Sequence, residues 1–145
     1  MGRLILGVVA GYLAMAVVIF VVVWGAYLAL GADRAFQAGS YSTSGLWIAI
    51  SLVLSLVAAL VGGGVCAVLA RDARGPKALA VFVLLLGLAF AVPVLTARDA
   101  GSEPRPAGEP ALTAMQKAHQ PKWVAVATPF LGAAGVLAGG RRRRV

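Results

Sequence analysis

The stretch 46–70, LWIAISLVLSLVAALVGGGVCAVLA, contains no charged residue and lies inside the longest charge-free run of the chain, residues 35–70. A bilayer core about 30 Å thick needs roughly 20 apolar residues of α-helix to cross it, so this stretch reads as a membrane span. Within it Ser51, Ser55, Ala59, Gly63 and Ala67 recur every four residues. Positions four apart share one helix face, so the span carries a narrow stripe of small side chains. Lipid tails are as apolar as leucine, and helices in a membrane therefore associate by close backbone approach, which small residues permit.

Working outward, the charge-free runs 4–32, 78–97 and 123–140 predict three more spans, over residues 4–30, 77–96 and 123–140. Together they describe one domain, residues 1–145, folded as an all-α integral membrane four-helix bundle with antiparallel neighbours. Span one offers Gly7, Gly11 and Ala14 to its partners, and span four offers Ala125, Thr128, Gly132, Gly135 and Gly139. These stripes predict close packing within the bundle, with a homo-oligomer or a larger membrane complex as the alternative use of the same faces. Span four is the shortest, about 27 Å at 1.5 Å per residue, so it must stand upright or borrow residues from its flanks.

Met1-Gly2-Arg3 before an apolar run resembles the start of a secretory signal, but such a core covers about 7 to 15 residues and the run 4–30 is far longer. The first span is therefore expected to stay. Myristoylation calls for Ser or Thr at position six, where Leu6 stands.

The connections divide into a short turn, 71–77, and two outer loops, 31–45 and 97–122. So short a turn makes spans two and three a helical hairpin, with Pro76 suited to the first helical position. Loop 31–45 carries the polar string Ser40-Tyr41-Ser42-Thr43-Ser44 and room for one interfacial helical turn. Loop 97–122 has prolines at 104, 106, 110 and 121, which favour an extended first half. Leu112, Met115 and His119 then recur at three and four, the spacing of a short amphipathic helix on the membrane surface.

Charged residues make up 12% of the chain, against about 25% in an average soluble protein, and the net charge is +8. Four of the basic residues are the tail Arg141, Arg142, Arg143 and Arg144, and most others flank spans. The basicity thus reads as membrane topology and not as nucleic-acid binding. Arg3, Arg71, Arg74, Lys77 and the tail 141–145 fall on one side; Arg34, Arg98, Arg105, Lys117 and Lys122 fall on the other. The positive-inside rule puts the first side, with both termini, in the cytoplasm. The tail locks the marginal fourth span, or contacts anionic lipid headgroups at about 1 kcal/mol per basic residue.

Ionisable groups inside a membrane mark proton relays, ion paths and catalysis, and the four spans carry none. Cys66 is the sole cysteine, so no intramolecular disulfide or dithiol centre forms, and it reads as a small core residue. His119 has no second His or cysteine pair to join it in a metal site. Ser51 and Ser55 have no intramembrane base, and Gly62-Gly63-Gly64 lacks the Lys-Ser/Thr ending of a phosphate loop. No catalytic residue, metal or cofactor is expected.

Pro93 and Pro129 fall at similar depth in the outer leaflet and release the carbonyls of Ala89 and Ala125, for which Thr96 and Thr128 are nearby donors. Trp24, Tyr27, Trp47 and Ser51 should lie at the same level. Those six side chains, Trp24, Tyr27, Trp47, Ser51, Thr96 and Thr128, could line an outward-opening pocket, or the aromatics could form the ordinary interfacial belt.

The stretch 25–41 with the spans that follow resembles small bacterial inner-membrane proteins with four predicted helices, a family that brings no activity with it. The resemblance implies a cell inner-membrane location. Small multidrug exporters are similar in span count but depend on an acidic residue in the first span, which 4–30 lacks. The sequence therefore favours a non-catalytic structural, assembly or accessory component in contact with membrane lipids. Its rivals are a holin-like pore-former or small transporter, a lipid-binding protein, and an interfacial enzyme built from Asp99, Glu103, Glu109 and His119. A reporter fused within residues 98–122 should read as outside the cytoplasm; a cytoplasmic signal there would reverse the orientation.

Overall fold

The computed structural model describes residues 1–96, 104, 106, 108, 110, 113 and 117–142. Four long helices, α1 (Gly2–Leu30), α3 (Gly45–Ala70), α4 (Arg74–Thr96) and α5 (Lys122–Arg142), form an all-α bundle, with a single turn α2 (Ala32–Ala35) between the first two. Each long helix is long and apolar enough to cross a membrane. Helix α5 reaches 21 residues by taking Lys122 at one end and Arg141 and Arg142 at the other. Borrowing from the flanks lets the shortest apolar run match its neighbours in length.

The helices associate as the small residues dictate. Gly7 lies on Ala70, and Gly11 fits against Cys66 and the carbonyl of Gly62, so α1 and α3 touch backbone to backbone. On the other side of α3, Gly63 sits on the carbonyl of Val136 and Gly139 of α5 sits on the carbonyl of Leu60. Gly135 packs over Ala59 and Leu56. A methyl group at Gly63 or Gly139 would collide with backbone, which cannot yield as a flexible side chain can. Around these contacts Met15, Ala58, Ala59, Cys66, Leu79, Ala80, Val83 and Val136 make a continuous buried core.

The close seams run α1–α3, α3–α5 and α5–α4, so the bundle is a ring in which α4 meets α1 least tightly. Helices α3 and α4 share the short turn and touch there, where Gly75 lies against Ala70 and Cys66. Helix α4 then leans toward α5, with Gly87 against the ring of Pro129. The sequence expectation places Pro76 first in its helix, but α4 begins two residues earlier, at Arg74. Asp72 explains the shift: its side chain accepts from the Arg74 N–H at 2.9 Å and its carbonyl accepts from Gly75 at 3.2 Å. Pro76 still falls within the first turn, where a missing N–H breaks no helical bond.

The start of α1, the end of α5 and the 71–73 turn share one end of the bundle, since Gly7 meets Ala70 and Gly140 meets Pro76. The connection 31–44 and the entry to α5 share the opposite, loop-side end. Gly63→Ala should lower stability in detergent by about 1–3 kcal/mol through overpacking. Gly25→Ala, a site with open space around it, should leave the melting profile unchanged or slightly improved. Equal melting of both variants would remove the α3–α5 seam as the organising contact.

Candidate functional site

Two features stand out, a closed platform at the loop-side end and a groove in the side of the bundle. The platform begins where α1 ends at Gly31, whose φ of 75° lets the chain turn sharply into α2. Residues 35–37 then pair with 42–44: Gln37 N–H donates to Ser42 at 2.9 Å, and Ser44 N–H donates to Ala35 at 2.9 Å. Gly39, at φ 69°, supplies the positive φ that the turn between them requires. Ser44 closes the unit, because its hydroxyl donates to the Arg34 carbonyl at 2.7 Å and accepts from the Trp47 N–H at 3.2 Å as the N-cap of α3.

The long second loop is pinned onto this hairpin. His119 N–H donates to Tyr41 at 2.9 Å, and the His119 carbonyl accepts from both the N–H and the hydroxyl of Thr43, at 3.1 and 3.3 Å. Pro104 makes a further bridge with Ser40. Beneath lies an aromatic core of Tyr27, Phe36, Tyr41 and Trp47, in which the Tyr27 ring meets Trp47 edge-on at 5.7 Å and Phe36 at 6.3 Å. Lys117 holds its ammonium 5.3 Å from the centre of the Tyr41 ring, a cation–π contact at the rim. Thr43 is a buried polar residue here, and its bonds to His119 offset the cost of taking it out of water.

The groove, about 560 Å³ in volume, opens between α1 and α4 and reaches inward to Ser55 on α3 and to Thr128, Pro129 and Gly132 on α5. It exists because α4 leans onto α5 at Gly87 and leaves its contact with α1 thin. Gly132 contributes as well, since even a methyl there would meet only Val83 at 3.2 Å and Met15 at 4.0 Å. Tyr12 and Phe82 form an edge-to-face pair, centroids 5.3 Å apart, at the deep end.

Of the six side chains expected around an outer pocket, Thr128 lines this groove. Tyr27 and Trp47 are buried in the platform, and Trp24 meets Tyr27 edge-on at 6.4 Å. Ser51 donates to the Ile48 carbonyl at 2.9 Å, and Thr96 is exposed and donates to Val92 at 2.9 Å. Thr128 donates to Val124 at 2.7 Å, so neither threonine bonds the carbonyl that its neighbouring proline releases. A helical threonine hydroxyl reaches the carbonyls three or four residues back: Ala89 lies too far before Thr96, while Thr128, within reach of Ala125, donates to Val124 instead.

Among the packing residues, Gly7, Gly11, Ala59, Gly63, Gly135 and Gly139 lie in seams, Gly132 and Ser55 line the groove, and Ala67 is half-buried beside the α1 seam. The groove residues Tyr12, Ala16, Gly87, Phe90 and Ala91 stand outside every sequence-based grouping; the lone Gly87 in an otherwise bulky span was their one signal. Among the described basic residues, Arg3, Arg71, Arg74, Lys77 and Arg141 are exposed at one end, and Arg34, Lys117 and Lys122 are exposed at the other. Arg143, Arg144, Asp99, Glu103, Glu109, Leu112 and Met115 lie outside the described residues, as does the side chain of Arg142. Thr113 and Lys117 are joined by a helical-type bond of 3.2 Å. Among the described residues, no three of His, Cys, Asp and Glu come together to hold a metal ion.

No match was found to a protein-family model, to a curated protein or to a solved structure. The candidate features rest on the chain's own geometry. Trp47→Ala should remove the floor of the aromatic core, at a cost of about 3–5 kcal/mol. Hydrogen exchange at the Thr43, Ser44 and His119 amides should then accelerate far more than exchange at core amides of the α1–α3 seam; uniform acceleration would mean that the platform is not a separate unit.

Proposed function

We propose that this protein is a non-catalytic multi-pass component of the cell inner membrane, with both termini cytoplasmic, that serves as a packing, assembly or accessory element. One observation carries the reading: the Asp, His, Lys and Arg side chains that the structure describes are exposed at the two ends, while the interior is built from glycine contacts and apolar side chains. An active site gathers ionisable groups into a cleft and perturbs them. Here the groove between α1 and α4 is lined by hydrocarbon and a few hydroxyl or amide groups, and a second cleft along α3 is lined by Leu60, Val61, Gly64, Val65, Val68, Leu69 and Gly139. On this reading the hydrogen-bonded platform faces outward and the basic residues at the opposite end face the cytoplasm. Both suit contact with lipid headgroups and with neighbouring membrane proteins.

The resemblance to small bacterial inner-membrane proteins supports the location, and the excess of basic residues at the terminal end supports the orientation. The closed α1–α3 and α3–α5 seams argue against a water-filled axial path, as a pore would require. Induced expression should therefore leave the membrane potential intact, as read with a potential-sensitive dye. Purification in mild detergent should return the protein with defined partners or further copies of itself. Rapid dissipation of the potential on induction would overturn the reading in favour of a pore-former.

A further inference from the structure

The groove has a direction as well as a volume. It runs from Gln120 on the loop-side surface to Tyr12, whose ring meets Phe82 edge-on outside the lining. Along α1 it spans Tyr12 to Phe20, about 12 Å at 1.5 Å per residue. Phe20 and Phe90 line it from α1 and α4, and both are exposed on the outside of the bundle beside the exposed Val17 and Leu85. Those neighbours face hydrocarbon in a spanning bundle, so the mouth opens sideways into the acyl chains of the bilayer and not into water.

We propose that this groove is a binding site for one acyl chain of a phospholipid of the loop-side leaflet. The chain would enter between α1 and α4 and lie over Gly87 and Pro129, with its headgroup at the surface near Gln120 and Lys122. The groove's volume lies within the range of about 300–1,000 Å³ usual for lipid-sized and drug-sized ligands. Lys122 is exposed at the start of α5 and supplies a positive charge at the depth of a phosphate. The small residues Ala16, Ala91 and Ala125 leave room on the α1, α4 and α5 walls, and Tyr12 at the far end limits how far the chain reaches.

The test uses the full chain in vesicles of phosphatidylethanolamine and phosphatidylglycerol that contain a phospholipid with a photoactivatable group midway along one acyl chain. Crosslinks are expected at Gly87, Phe90 and Pro129. Ala16→Phe, which fills the groove from an exposed position on α1, should reduce them at least about fivefold. Leu13→Phe, exposed on the same helix but outside the groove, should leave them unchanged. Crosslinks confined to outward residues such as Leu13, Leu85 and Val92, or groove crosslinks indifferent to Ala16→Phe, would overturn the proposal. Should Ala16→Phe fail to fold, the map on the unaltered chain decides between the same two outcomes. A free fatty acid with the same photoactivatable group that labels the groove more strongly than the phospholipid would overturn the phospholipid assignment.

Discussion

The structure depends on one constraint: inside a bilayer, burying apolar surface gains nothing, so helices stay together only where their backbones come close enough for dense packing. Gly63 against Val136 and Gly139 against Leu60 meet that condition from opposite sides of the same interface. Gly7 and Gly11 do so against Ala70, Cys66 and Gly62. Helix α3 is thus held on two faces by glycine contacts, and the other helices take their places from it. Large side chains such as Phe20, Phe82 and Phe90 do little of this work and remain exposed to lipid.

A ring of four helices cannot be equally tight at every seam when only some faces carry small residues. Three seams are close, and the slack collects in the fourth, between α1 and α4. Pro129 adds to it, because its ring takes the place where α4 would approach and Gly87 is what allows α4 to come near at all. The groove follows from where the glycines are and where they are absent. The loop-side end meets a different problem, since loops need partners for their backbone polar groups. It solves that by folding 35–44 into a hairpin over an aromatic core and pinning His119 across it.

The four spans were legible in the sequence because the signal is local: charge-free length gives the span, while spacing by four gives only a face of small residues and not the helix it meets. The one-turn helix α2 was legible as room for a turn. The fates of Tyr27 and Trp47 were not. Aromatics at a span end read as an interfacial belt, and only the pairing of two loops far apart in sequence buries them together. The groove was hidden for a similar reason. It is a property of the α1–α4 relation, and nothing in either helix alone says that their seam is the loose one. The start of α4 was missed by two residues because Asp72, which anchors it, lies outside the apolar pattern.

The bond between Thr43 and His119 joins residues 76 positions apart, the first before α3 and the second just before α5. During synthesis the hairpin 35–44 is laid down early, yet its Thr43 amide and Tyr41 carbonyl have no His119 to meet until the last helix has followed. The loop-side platform is therefore completed at the end of assembly, and its closure is a mark that all four helices have reached their places. In a chain of this size such long sequence separation also places the step among the slow ones, since loop closure must precede the contacts that hold it.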